Sequence, residues 1–529
     1  MSEPLQRRVA AAFETAVGLL ERGGEDTELL RRALAAERDR ARRTMSVAVV
    51  GRISTGKSTL VNALIGEERL ATGSQELTYN VNRLRHGPRA RLLVRYKDGR
   101  PPRPFDPGRL AELTVRRERR PEEIDGIAEI VVELPSPYLR AFELIDTPGL
   151  DSVFGQDSLN TLEFLGLDPG EVRSATLRHA ASADGLVFVV PVRGPSAGDS
   201  RLLAQYLGPE FVAATPLTAL GVLTKCEQEW EPGGPHPMEL GRALAGRMLR
   251  ETPGLRRRLY DLLPVCSLTG QAVAGLDEAD LARLGKLAAL PEPRLHAALF
   301  AAAVFAGPGD GLPLRQEERE RLWRRFGAWG IHAACRALRE AGGGATVAGL
   351  RERLLADTGM TALRERLSDH FGHRAALLKL DAALGRVRRM PQTLAAGLGP
   401  RERAALRRAI GVIEDLALNE PGFAELAALR SLYGGQLRFS DAEGEELRRA
   451  LGEFGRRPEQ RLGLPSATPA PRLREAAAER HTAWLLRWQS GLLSGPSREA
   501  ARTVVRAYEH LLHELPRKGR EMRPPDGAA

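Results

Sequence analysis

This 529-residue sequence predicts an α/β domain, preceded by a short helical segment and followed by a long all-α region. Three observations carry that expectation. Residues 47–50, VAVV, form a continuously apolar, β-branched run of the kind a buried parallel strand uses; it enters a glycine-bearing loop, GRISTGKS, and then an amphipathic segment. Strand-like and helix-like segments alternate from Met45 to about Val273, as they do in an α/β layer structure. From about Pro313 onward almost every segment has a helical period.

The elements follow in order. Leu5, Val9, Phe13, Val17 and Leu20 make a helical stripe, ERGGED breaks it, and a second helix runs to about Arg43. Strands are expected at residues 46–50, 81–85, 92–96, 127–134, 141–146, 185–190, 218–224 and 262–266. The apolar run at 295–307, LHAALFAAAVFAG, has 13 residues, short of the roughly 20 a membrane span needs, and is expected to be a buried helix. A helix ending in FGAWGIHAACRAL carries Gly327 and Gly330, which permit a bend or close packing. Leu354, Leu355, Leu363, Leu367, Phe371, Ala375 and Leu378 line the next long helix, which breaks near Gly359. MPQTLAAGLGP (390–400) interrupts the pattern, LPSATPAP (464–471) reads as a linker, and PRKGREMRPPDGAA as a disordered tail.

Composition narrows the class. The chain is 43% hydrophobic and 28% charged, the balance of a foldable soluble protein, and its length calls for two or three domains. Cys226, Cys266 and Cys335 stand apart with no C-x-x-C, so neither a disulfide framework nor a zinc site is expected, and a reducing cytoplasm fits. The charged, amphipathic N-terminus does not have the pattern of a signal peptide. A net charge of +10 invites a polyanion, either nucleic acid or an anionic membrane. Residues 315–389 hold 16 basic against 9 acidic side chains, which is equally compatible with solvated, arginine-rich helix faces.

GRISTGKS matches the phosphate-loop pattern in the strand–loop–helix context the motif requires. Gly51 and Gly56 let backbone N–H groups converge on phosphate oxygens, with Arg52, Ile53, Ser54, Thr55 and Thr59 completing the cradle. Lys57 is expected at the β- and γ-phosphates and the Ser58 hydroxyl on Mg²⁺. Lysine is scarce here, six residues against 72 arginines, so a lysine at this position is informative. FELIDTPG ends an apolar strand in Asp-x-x-Gly: Asp146 is expected in the Mg²⁺ shell, with the Gly149 N–H sensing the γ-phosphate. ALGVLTKCE ends the next strand. Thr224 would tie that loop to the phosphate loop, the Lys225 stem would cover a base, and Glu227 would accept from guanine N1–H and the 2-amino group. Cys266 and Ser267, in VCSL, can offer a backbone N–H to guanine O6. GTP or GDP is the expected ligand.

Together these motifs resemble the dynamin superfamily of large GTPases. GRISTGKST is similar to the phosphate loop of mitofusins, and TK in place of NK is common among dynamins. HFGHRAALLKLDAAL, with GMTALRERL before it and RFGAWGI upstream, resembles the actinobacterial dynamin-like proteins of the isoniazid-inducible IniC type. The resemblance spans residues 5–515 and implies an α/β P-loop GTPase domain of dynamin type at 45–312. It implies too an elongated helical neck and stalk, built from residues 1–44 and 313–515, and a tail at 516–529. It implies Thr78 as the switch threonine that closes over Mg²⁺ and positions the attacking water, with Thr72 the rival, and Ser54 beside a charge-compensating cation. Leu150 follows DTPG where Ras-like proteins carry a water-orienting Gln, Ile53 stands where eukaryotic dynamins carry a catalytic Gln, and Glu227 replaces the usual Asp. Arg52 at the loop's rim is either a transition-state cation or an ordinary surface arginine.

The resemblance further implies peripheral binding to anionic lipids at the inner face of a bacterial membrane, and remodelling of that membrane by fission, fusion or maintenance. Self-association through GTPase domains, and a second dynamin-like chain as partner, are also implied. Residues 386–400 combine Arg388 and Arg389 with Leu394 and Leu398 in an expected non-helical loop, a candidate membrane contact. Two other readings stay open: an RNA-directed, ribosome-assembly GTPase, against which no RNA-binding module is visible, and a slowly hydrolysing nucleotide-gated helical scaffold.

Overall fold

The computed structural model describes residues 2–21, 27–52, 54–67, 70, 81–114, 126–147, 183–193, 216–252, 255, 258–308, 311–372, 374–394 and 398–516, and the statements below concern these. Ile53, Thr72, Thr78, Gly149, Leu150 and the C-terminal tail from 517 lie outside them. The chain divides into two compact units, Thr44–Gly372 and, together, Met1–Arg43 with His373–Ala529.

The first unit is built on a nine-stranded sheet. Its strands are β1 (Met45–Val50), β2 (Asn82–His86), β3 (Arg91–Tyr96), β4 (Arg103–Phe105), β5 (Ile127–Leu134), β6 (Phe142–Asp146), β7 (Gly185–Pro191), β8 (Ala219–Thr224) and β9 (Leu262–Pro264). Their order is β4-β3-β5-β2-β6-β1-β7-β8-β9. From β6 to β9 every pairing is parallel, and β1, β6 and β8 are buried at every position, as strands covered on both faces are. β2 runs antiparallel to β6, and β3 antiparallel to both β5 and β4. Eight of the strands lie where the sequence predicts them. The ninth, β4, reads RPF, is largely exposed and sits at the sheet edge, where proline is tolerated and no apolar run announces a strand.

The helices of the two units, numbered along the whole chain, are α1 (Ser2–Glu21), α2 (Glu28–Arg42), α3 (Lys57–Ile65), α4 (Leu110–Thr114), α5 (Pro237–Glu251), α6 (Ser267–Ala274), α7 (Glu278–Ala288), α8 (Glu292–Leu299), α9 (Ala302–Ala306), α10 (Gln316–Ala341), α11 (Val347–Asp357), α12 (Met360–Leu367), α13 (Ala375–Leu394), α14 (Pro400–Asn419), α15 (Pro421–Tyr433), α16 (Asp441–Ala450), α17 (Pro458–Leu462), α18 (Ala470–Gln489) and α19 (Gly495–Glu514). The expected domain boundary at 312 falls inside the first unit, which runs on to Gly372. The reason is where α10 spends its apolar residues. Leu322, Phe326, Trp329 and Ile331 join the same core cluster as Phe188 of β7 and Leu223 of β8. The helix kinks at Gly327 (φ 63°, ψ 178°), and a Cβ on Gly330 would come within 3.0 Å of Thr269. The run at 295–307, expected as one helix, is instead α8 and α9, with Phe305 buried and Phe300 76% exposed between them.

In the second unit α1 packs on α2 and α14, and α2 on α13, so residues from both ends of the chain share one core. Leu5, Val9, Phe13, Val17 and Leu20 are all buried, as the helical stripe requires. The Arg386 guanidinium pairs with Glu37 at 2.8 Å. The candidate membrane segment at 386–400 is corrected here. As far as Leu394 it is helix and not loop, because α13 continues through Pro391 to that residue. Leu398 and Met390 are buried, and Arg388 is paired with Glu414 at 2.7 Å. Met390 and Leu398 serve the helical core.

Candidate functional site

Each segment singled out by motif leaves the sheet at the carboxyl end of a strand, where open α/β sheets bind ligands. β1 lies between β6 and β7 and feeds the loop at 51–56. Gly51 passes so close to β7 that a Cβ there would lie 2.6 Å from the Val189 carbonyl, and Gly56 (φ 89°) turns the chain into α3. Thr55 is clasped from both sides: its hydroxyl donates to the Arg52 carbonyl at 2.9 Å, and its own carbonyl accepts from the Thr224 hydroxyl at 2.6 Å. Thr224 thus latches the end of β8 to the loop after β1. Lys57 is buried, and its ammonium donates to the Arg52 carbonyl at 2.8 Å. Thr59 is half-buried on the first turn of α3.

The non-glycine residues with positive φ among those described are Ser54 (58°) and Lys225 (63°). Both line one cleft of about 260 Å³, with Arg52, Thr55, Val192, Arg193 and Gln228. Left-handed backbone at non-glycine residues is held only where surrounding structure imposes it, and it concentrates at ligand sites.

Two buried carboxylates stand at this end of the sheet. Asp146, at the end of β6, is fully buried; Oδ2 accepts from the Ser58 hydroxyl at 3.1 Å and Oδ1 has no partner at hydrogen-bonding geometry. Burial pushes its pKa up to about 6, with Lys57, Ser58 and Asn82 pulling the other way. Glu227, beyond β8, accepts the Leu268 N–H on Oε1 at 2.8 Å and has no partner on Oε2. Burial pushes its pKa up to about 7, opposed by backbone amides and by Lys225. The Lys225 ammonium is held below its ordinary range by burial, with Glu227 opposing and Arg193 adding to the shift. Trp230, just past this turn, packs on Trp329 and His332 of α10, ring centroids 5.5 and 4.6 Å away.

One expectation changes. Cys266 is fully buried and its N–H donates to the Thr358 carbonyl at 2.9 Å, so it is not available to a base. Ser267 opens α6, where a backbone N–H has no helical partner. Sequence reading missed Val192 and Arg193, although PVRG follows the apolar run of β7; the rule that every parallel strand's carboxyl end faces the crevice would have found them. It also missed Arg364, whose guanidinium caps the end of α3 at the Ala63 and Leu64 carbonyls, 2.6 and 3.1 Å away.

A mixed sheet with a phosphate loop after β1, an aspartate ending the neighbouring strand and a T-K-x-acid turn after β8 defines a P-loop GTPase. Comparison with known proteins makes this specific. The Dynamin family model matches residues 47–226. Isoniazid-induced protein IniC of Mycobacterium tuberculosis is 30% identical over 474 residues, 89% of this chain and 90% of that protein. The bacterial dynamin-like protein of Nostoc punctiforme is 25% identical over 30% of this chain and 22% of its own length. A solved structure of an oligomerised bacterial dynamin pair aligns with 96% of this chain and 90% of its own, at 12% identity and a TM-score of 0.35. The chain belongs to the dynamin family and is a bacterial dynamin-like GTPase of the IniC type; it binds guanine nucleotide and hydrolyses GTP. No helix among the described residues is long and apolar enough to cross a membrane.

Proposed function

We propose that this GTPase couples its nucleotide cycle to peripheral association with, and remodelling of, a bacterial membrane at its inner face, acting through pairing of GTPase domains and with a second dynamin-like chain as partner. One observation carries the nucleotide half: the Thr224–Thr55 latch ties the loop after β1 to the end of β8, and two buried carboxylates at this end of the sheet, Asp146 and Glu227, each keep one oxygen without a partner among the described residues. Buried polar groups left unpaired are costly unless a ligand completes them.

At the phosphate end, Lys57 exchanges the Arg52 carbonyl for the β- and γ-phosphates. Ser58 and Asp146 fit Mg²⁺, since a hydroxyl and a half-satisfied carboxylate in contact are the hard oxygen donors that cation takes. Bound there, Mg²⁺ neutralises charge on the phosphates. At the base end, the open Glu227 oxygen accepts from the guanine edge, the Lys225 stem covers the ring and the Ser267 N–H meets O6. Thr78 positions the attacking water and Gly149 senses the γ-phosphate, roles that follow from the family resemblance. With Ile53 and Leu150 in place of amide side chains, charge compensation at Ser54 carries the more weight.

The membrane half is supported by family membership and by the basic charge. Vesicles rich in phosphatidylglycerol, incubated with the protein and GTP, should be clustered or tubulated and should accelerate turnover, whereas GDP should do neither. Absence of vesicle binding in every nucleotide state, with turnover indifferent to lipid, would sink this half.

A further inference from the structure

Three arginine side chains of the second unit converge on one turn. Residues 451–457, LGEFGRR, join α16 to α17, and Gly452 (φ 71°) and Gly455 (φ 127°) fold them tightly. The Arg374 guanidinium, just ahead of α13, donates from Nη2 to the Leu451 carbonyl at 2.8 Å. The Arg461 guanidinium, on α17, donates to the adjacent Ala450 carbonyl at 2.8 and 2.6 Å. Arg456 folds back over the same place, its Cγ 3.7 Å from where a Cβ on Gly452 would stand. Three cations are thus gathered at the consecutive residues 450–452.

Their counter-charges are few. Glu453, Glu459 and Glu420 are held by other arginines, Arg448, Arg457 and Arg8, at 2.9, 3.5 and 3.1 Å. Glu425 remains, 3.7 Å from Arg461. Arg374 is 4% exposed, and its Nη1 has no hydrogen-bond partner among the described residues. Arg456 is half-buried and makes no hydrogen bond or ion pair with another described residue. Burial holds its guanidinium below the usual arginine range, with Glu425 opposing and Arg374 and Arg461 adding to the shift. Arginine is rarely buried without a partner, and three guanidiniums against one carboxylate leave two positive charges uncompensated. The geometry points to a binding site for a dianionic phosphate group at this turn, with Arg374 and Arg456 donating to its oxygens and Arg461 held behind them by Glu425 and the Ala450 carbonyl. The charge of a phosphate monoester or of inorganic phosphate near neutral pH matches that excess, and its oxygens suit guanidinium forks. Arg374 lies too deep for a headgroup tied to a bilayer, so the ligand is a small soluble phosphate that enters past Arg456. The site is separate from the nucleotide cleft and does not depend on the membrane reading.

The test uses the full chain with GDP and Mg²⁺ already bound, so that the phosphate loop is filled, and inorganic phosphate as probe against chloride at equal ionic strength. Calorimetry should show saturable phosphate binding, and the melting temperature should rise with phosphate and not with chloride. Arg456→Gln should weaken that binding roughly tenfold or more, the loss of a charge-assisted pair, with circular dichroism unchanged. Without phosphate it should melt no lower than wild type, since an uncompensated charge is gone, whereas an arginine with a merely structural role would cost stability. Arg374→Lys keeps the charge but loses the fork, and should weaken phosphate binding severalfold. A folded Arg456→Gln variant that binds phosphate like wild type overturns the site. So does a phosphate response that Lys57→Ala abolishes, because the anion is then read in the nucleotide cleft. Vesicles of phosphatidic acid that bind through Arg456 while free phosphate does not would overturn it too, as the anion is then a lipid. Wild-type protein indifferent to phosphate overturns it outright.

Discussion

The two ends of the nucleotide cleft solve the same problem with different chemistry. Asp146 and Glu227 are both buried, both raised in pKa, and both have one oxygen bonded and one open. Their surroundings differ. Asp146 faces an ammonium, Lys57, and a hydroxyl, Ser58, so its open oxygen stands among charge and suits a cation. Glu227 is held chiefly by backbone N–H groups in a turn buttressed by Trp230, with the Lys225 ammonium a lesser influence, so its open oxygen suits N–H donors. A burial penalty of one kind therefore becomes selectivity of two kinds, for metal at one end and for base at the other.

The largest expected effect breaks the phosphate end alone. Lys57→Ala should weaken GTP, GDP and ATP together by about a hundredfold or more, the scale of removing one charge-assisted hydrogen bond from a closed site. Titration of a fluorescent guanine nucleotide measures this, and unchanged affinity removes the loop from the mechanism.

A crossed pair of variants sharpens the contrast. Glu227→Ala should erase a GTP-over-ATP preference of roughly tenfold or more while leaving the magnesium dependence of binding in place. Asp146→Asn should do the reverse, abolishing the response to magnesium with the base preference retained. It should also raise the nucleotide-free melting temperature by a few degrees, because the buried charge is gone. If either variant loses both properties, the two ends are not separable as described.

The smallest effect is in pH. Both carboxyls hold protons more tightly folded than unfolded, so between about pH 4 and pH 7 the folded state carries more protons and nucleotide-free stability falls as pH rises. Ligands that favour the carboxylate reverse the sign. In magnesium-free buffer, GTP binding should tighten severalfold from pH 6 to pH 7.5 with proton release, and Glu227→Gln should flatten that slope. Calorimetry in buffers of different ionisation enthalpy reads the released proton directly.

Much of this was legible in the sequence because it is periodic or local. β1, β7 and β8 are almost wholly apolar, β6 ends an apolar run in Asp146, and the buried stripe of α1 repeats at helical spacing. The phosphate loop and the TKCE turn are contiguous, so their side chains share one neighbourhood whatever the fold does elsewhere. What the sequence hid depends on packing between distant segments. The helices at 316–367 read like those after 373, and their place with the sheet is decided by Trp329 meeting Trp230 and Arg364 capping α3. Leu398 looks loop-borne in MPQTLAAGLGP, yet it is buried. Cys266 looks available until Thr358, 92 residues later, takes its N–H.

The rarity of lysine gives this cleft a handle for chemical labelling. An amine-selective acylating reagent meets six lysines in 529 residues, and arginine, which makes up the other 72 basic residues, does not compete. Lys57 is buried in the phosphate loop, Lys379 is buried against the Arg43 carbonyl, and Lys97 and Lys286 are exposed. Lys225 stands half-buried at the cleft with its pKa held down by burial, so it offers the uncharged nucleophile at lower pH than an ordinary surface amine. Mild acylation just below the usual lysine range should therefore mark Lys225 early, and guanine nucleotide should shield it. Peptide mass mapping would then report cleft occupancy in a mixture of proteins without any engineered tag.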